Sequence, residues 1–114
     1  MFGSVFPVNA GETMYLGIGY DASEAAIQFP MPAGTAVELH CGTNQDPGAG
    51  NYVYTLRKNN TDTVLAFSLT GTNRKGQKTQ NVTFGSGDWM SLRVAAVGGA
   101  PTAHHTATLR YSYA

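Results

Sequence analysis

The residues that could do chemistry are few and widely spaced. His40, His104 and His105 are the only histidines, and Cys41 is the only cysteine. Neighbouring residues on an extended chain point to opposite faces, so neither His104 with His105 nor His40 with Cys41 makes a ready pair of metal ligands. A single cysteine allows no intrachain disulfide, and free cysteine most often packs as a small buried residue. Asp46, Asp62 and Asp88 sit in separate turn sequences, where carboxylates bond the local backbone rather than cluster for calcium. Hydrolysis needs two carboxylates across a cleft, or a nucleophile with a base and an orienting group. No local motif of that kind is present, so no catalytic residue, metal or cofactor is expected. Arg74, Lys75 and Lys78 form a basic segment that could dock on an acidic partner or simply be solvated. Tyr15, Tyr52, Tyr54 and Trp89 could stack against sugar rings if exposed together, although such residues also fill cores and interfaces. Two glycosylation-type triplets, at Asn59 and Asn81, have no use without a secretory signal.

Composition narrows the setting for these residues. The chain has 114 residues, enough for one domain around one core. Charged residues make up 12%, with seven basic against seven acidic, so no basic surface for nucleic acid is expected. Met1 to Ala10 lacks a basic region followed by a long apolar run, so neither a signal peptide nor a membrane span is expected.

The elements that must position the candidates read as strands. Tyr52, Tyr54 and Leu56 alternate with Val53, Thr55 and Arg57, then Leu65, Phe67 and Leu69 alternate with Val64, Ala66 and Ser68. The polar turn Asn59-Asn60-Thr61-Asp62 joins them. A hairpin centred between Asn60 and Thr61 sets Leu56 opposite Leu65 and Tyr54 opposite Phe67, so pattern and register agree. Met14, Leu16, Ile18 and Tyr20 alternate with Tyr15, Gly17 and Gly19, leaving one face bare. A short strand is predicted over 25–29, ending at Pro30-Met31-Pro32. Val37, Leu39 and Cys41 mark the next strand, and the segment 72–79 reads as a polar loop. Met90, Leu92 and Val94 mark one late strand, and Leu109, Tyr111 and Tyr113 the last. Leu65, Phe67, Leu92 and Val94 are expected in the core. The spacing predicts an all-β chain, a single antiparallel β-sandwich of about eight strands with jelly-roll topology. Residues 1–12 are expected to form an N-terminal arm or edge segment, with Phe2, Val5 and Phe6 as assembly contacts, and 13–114 the jelly-roll domain.

Four segments carry a resemblance: Pro30 to Thr35, Pro47 to Thr63, Ser68 to Thr72, and Gly87 to Val94 (GDWMSLRV). Their order resembles jelly-roll modules of phage virion proteins, similar in turn to the trimeric tumour-necrosis-factor and complement-type jelly roll. The resemblance covers roughly 26–113 and consists of structural turns. It implies a non-enzymatic virion protein, a capsid decoration (cement) protein that binds the major capsid protein or another virion component. It further implies a homotrimer, made in the host cytoplasm and located in the virion; the basic segment supplies Arg74 and Lys75 as further candidate assembly contacts. The alternative is a fibre-tip module binding host glycan through Tyr15, Tyr52, Tyr54 and Trp89.

Overall fold

The computed structural model describes the backbone of residues 6–8, 13–16 and 20–114, and side chains from residue 22 onward. Its centre is a hairpin of β6 (Gly48–Lys58) and β7 (Thr61–Gly71). Asn59 and Asn60 both adopt positive φ, 51° and 62°. That is the signature of a two-residue type I′ turn, whose twist suits a hairpin and which asparagine tolerates better than most residues. Lys58 therefore pairs with Thr61, and the turn centre lies one residue earlier than the alternation suggests. Tyr54 nevertheless faces Phe67 as expected, because a bulge after Thr55 absorbs the difference. Leu56, expected opposite Leu65, falls within that irregular step. The Thr63 hydroxyl donates to the Leu56 carbonyl at 2.7 Å and accepts from the Leu65 amide at 3.2 Å, replacing the lost ladder bonds.

Outside this hairpin the remaining pairs nest around the same turn. The other strands are β1 (Phe6–Val8), β2 (Thr13–Leu16), β3 (Tyr20–Asp21), β4 (Phe29–Pro30), β5 (Gly34–Thr43), β8 (Lys75–Phe84), β9 (Trp89–Val97) and β10 (Ala103–Tyr113). β5 pairs with β8, β2 with β9, and β1 with β10. Ala36 meets Val82, Met14 meets Val94, and Phe6 meets His105, each partnership roughly symmetric about Asn59 and Asn60. The chain is thus one long hairpin rolled on itself, which is the jelly-roll topology. Rolling distributes the strands into two antiparallel sheets, β1-β10-β5-β8 and β3-β2-β9-β6-β7, with β4 also on β9. The fold is an antiparallel β-sandwich of eight principal strands, as the sequence predicts.

The core lies between the sheets. Leu65, Leu92 and Val94 are buried as expected, together with Leu39, Leu56, Phe84, Met90 and Leu109. Phe67, expected in the core, is only half-buried, because β7 ends its sheet, with no hydrogen-bonded strand beyond it among the described residues. On β5 the register shifts between Ala36 and Glu38, so both Ala36 and Leu39 turn inward. Strict alternation with Leu39 would instead turn Ala36 to the opposite face.

Two segments differ from their sequence reading. Glu24–Ala26 is a short 3-10 turn rather than part of a strand, and only Phe29–Pro30 is extended there. The segment 75–79, expected as loop, belongs to β8. Its signal is hidden because Gly76, which packs on Leu69 and Phe67, takes the place of an apolar side chain: a Cβ there would lie 2.9 Å from Leu69 Cδ2. Phe6–Val8 pairs with β10 at a sheet edge. Phe2, Val5, and the bare face at Gly17 and Gly19 lie outside the described residues.

Leu92→Ala, at a fully buried site on the central strand β9, should cost about 2–5 kcal/mol by urea denaturation. Phe67→Ala should cost less than Leu92→Ala, since its ring is already partly in water. Equal or reversed losses would show that the β7 edge is packed more tightly than this geometry has it.

Candidate functional site

Three groupings of the described side chains bear on what the protein could do. The first is a charged network on the outer face of the larger sheet. Arg57 on β6 and Ser91 on β9 are register partners. The 3-10 turn carries Glu24 over them. Arg57 donates to Glu24 through Nε and Nη2, both at 3.0 Å, and Ser91 Oγ donates to the same carboxylate. Asp62 accepts from Arg57 and from Arg93, the latter at 2.8 Å. Burial pushes the Glu24 carboxyl up, but hydrogen bonds from Arg57 and Ser91 outweigh it and hold it below its ordinary value. Asp62 is likewise held low by its bond from Arg57, against some desolvation. A carboxylate held low is a poor general base, and Ser91 spends its proton on it. The arrangement ties β6, β7, β9 and the 3-10 turn together and is not set up for nucleophilic chemistry. The sequence reading missed it, since Glu24 and Ser91 are 67 residues apart.

The second place is the core beneath the expected sugar-stacking residues. Tyr52 and Tyr54 are fully buried and cannot stack on a ligand, which corrects that expectation. Both point between the sheets because they share the inward face of β6 with Leu56. Their polar tips find partners there: Tyr52 Oη donates to the Pro101 carbonyl at 2.6 Å, and Tyr54 Oη shares a 2.8 Å hydrogen bond with His105 Nδ1. The His105 ring sits edge-on to Tyr52, centroids 4.7 Å apart, and to Tyr54 at 5.6 Å. Burial, aided by the neighbouring charge of His104, pushes His105 down to about 4. Burial also raises the Tyr54 hydroxyl and the Cys41 thiol, so Cys41 is an inert core residue here. His104 and His105 do face opposite ways, one exposed and one buried. The inward alternation Ala103, His105, Ala107, Leu109 is the signal that places His105 inside.

Of the expected aromatic set, Trp89 is 43% exposed, and Tyr15 stands opposite Arg93 in the β2–β9 ladder. Trp89 adjoins the central turn. Its amide donates to Asn59 Oδ1 at 2.9 Å, its carbonyl accepts from the Asn59 amide, and Asn59 Nδ2 donates to Asp88. Asp88 also accepts from the Gly85 amide at 2.7 Å, the local backbone role its turn sequence predicts. Asp46 and Asp62, by contrast, pair with arginines.

The third place is a shallow groove of about 420 Å³ at one end of the smaller sheet, lined by Gly42, Thr43, Asn44, Arg74, His104 and Thr106. Asn44 Oδ1 accepts from the His104 amide at 2.9 Å, and the Thr43 amide donates to the Arg74 carbonyl at 2.8 Å, which joins the three loops. Arg74 Nε donates to Asp46 Oδ1 at 2.6 Å, so its charge is already balanced. Lys75 is exposed at the start of β8. Elsewhere on this sheet His40 Nε2 lies 3.1 Å from Glu38 Oε1. Among the described residues, no three His, Cys, Asp or Glu side chains converge as a metal site would need. The groove can hold a polar group by hydrogen bonds but brings no nucleophile to a base.

No family model matches the chain, and no curated protein sequence matches it. Four solved chains resemble it. One is the carbohydrate-binding module CBM36 in complex with calcium and xylotriose, 13% identical with a TM-score of 0.49. The alignment covers 98% of this chain and 92% of that one. At that score the likeness carries no argument about this chain, and the calcium and xylotriose belong to that protein.

The buried histidine makes stability depend on pH. His105 ordinarily titrates near 6.5 and is pushed down to about 4 in the fold. The unfolded chain therefore binds a proton that the folded chain refuses between those values, and stability falls as pH drops through that window. The loss should reach on the order of 3 kcal/mol near pH 4, read from urea midpoints. His105→Gln, which keeps an acceptor for Tyr54, should flatten this window. It should leave untouched the further loss at lower pH, where Glu24 and Asp62 protonate. An unchanged slope in the variant would assign the effect elsewhere.

Proposed function

We propose that this protein is a non-catalytic structural module of a virion, a capsid decoration protein that acts by covering a shell surface. The observation that carries this reading is where the chemistry-bearing side chains went. Tyr52 and Tyr54 are consumed by the core, and Arg57, Arg93, Glu24 and Asp62 neutralise one another. What the outer face of the smaller sheet presents is mostly the Thr, Ser and Gln side chains of β8 and β10, with His104 and Arg110 among them. Such faces suit contact by area with a flat partner better than capture of a small ligand. The turn sequences that resemble phage virion modules agree, and viral capsid and lectin domains both use the jelly roll. Fold alone does not choose between those two. The partner is then the major capsid protein or a neighbouring virion protein, with Lys75 and the N-terminal segment at the contact.

A second reading keeps one observation. Trp89 is exposed beside Asn59 and Asp88, and an exposed indole ring is able to stack on a sugar. Trp89 is the only tryptophan, so its fluorescence reports on that site without labelling.

Purified protein mixed with shells lacking it should co-sediment with them. Removing Met1–Val5 leaves the β1–β10 pairing intact and should weaken attachment at least tenfold. Lys75→Glu should weaken it further without changing the circular dichroism. If neither change alters attachment, the contact lies elsewhere. If shells are not bound at all while a glycan shifts Trp89 fluorescence, and Trp89→Ala abolishes glycan retention, the second reading replaces the first.

A further inference from the structure

A β-sandwich has four sheet edges, and each presents backbone groups able to pair with another chain. Natural proteins blunt such edges with short strands, proline or lysine. Among the described residues three of the four are blunted. β1 has three residues and includes Pro7. β3 has two residues. β8 has ten residues but carries Lys75 and Lys78. The fourth edge is β7, eleven residues reading TDTVLAFSLTG, with no proline and no lysine. Among the described strands its ladder partner is β6, on one side only. Its one charge, Asp62, is already neutralised by Arg57 and Arg93.

The side chains along this edge add to the contrast. Val64 is 64% exposed on the outer face. Phe67, on the inner face, is half-buried, its ring resting on Gly76 across the gap between the sheets. Both faces of the strand thus leave apolar surface in water, which an added strand would cover.

The geometry points to β7 as an assembly edge that pairs antiparallel with β7 of a second copy of this chain, joining two larger sheets into one. The strand is self-complementary in that arrangement. A two-fold axis through Ala66 sets Val64 opposite Ser68 and Asp62 opposite Thr70, so no like charges meet. The same operation on β8 would lay two lysine-bearing strands against each other. The contact is small, so it forms a weak, concentration-dependent pair, of the kind that gains strength when many copies sit on one surface. It is independent of the virion reading and implies a two-fold contact where the sequence resemblance implies a trimer.

Sedimentation velocity of the full chain at rising concentration tests it. The wild type should shift from monomer toward dimer. Val64→Lys and Ser68→Lys, both at exposed positions, should raise the dimer dissociation constant at least tenfold while leaving the circular dichroism and urea midpoint unchanged. Asn81→Lys on β8 should leave dimerisation as it is. A trimer mass, a strict monomer at the highest concentration, or equal dimerisation in all three variants would overturn the proposal. None of these results depends on whether shells are bound.

Discussion

The structure depends on two consecutive asparagines at positive φ. Each would strain most other residues by roughly 1–2 kcal/mol, and asparagine lessens that cost through its short polar side chain. Asn59 does more than turn the chain. Through its side-chain amide and backbone it binds Asp88 and both backbone groups of Trp89, locking the β6–β7 turn to the β8–β9 turn. The hairpin turn and the turn that crosses between the sheets, joined by residues 29 and 30 apart in sequence, are thereby held at one end of the sandwich. With that end fixed, the outer pairs can only wrap around it, and the nested pattern follows.

Between the sheets, the Tyr52 and Tyr54 hydroxyls are buried but matched. Tyr54 on one sheet and His105 on the other share a hydrogen bond across the core. A purely apolar pair would fill that space without specifying how the sheets are set. A hydrogen bond costs its partners dearly if they separate, so it penalises sliding of one sheet over the other. The neutral state this requires of His105 links packing to the loss of stability in mild acid. The outer network of Glu24, Arg57, Asp62, Ser91 and Arg93 does similar work on the larger sheet, tying a non-strand segment to three strands.

These same commitments bear on function. Aromatic and charged groups satisfied within the fold are not available for a ligand. Among the described residues, the β7 edge and Trp89 are left open to a partner, while the basic Lys75 remains in solvent. All three are features of a surface that meets another surface, which is why assembly is the reading favoured here over capture of a small molecule.

The strand pattern was legible because burial of one sheet face imposes period two on the sequence, and Met90, Leu92 and Val94 obey it without exception. Burial of Leu65, the Tyr54–Phe67 pairing and the opposed faces of His104 and His105 followed from the same rule. What the rule could not locate were the places where the period breaks. The bulge at Leu56 and the shift around Val37 are set by the turn and by both neighbouring strands, not by local composition. β8 was hidden because its inward position is glycine, filled by side chains from β7. The fate of Tyr52 and Tyr54 was open in the sequence, since a tyrosine serves equally in a core or on a surface. Only the tertiary structure, by bringing the Pro101 carbonyl and His105 to their hydroxyls, decided that they belong inside. The Glu24–Arg57–Ser91 contacts were likewise invisible, because distance along a chain says nothing of distance in space until the sheets have formed.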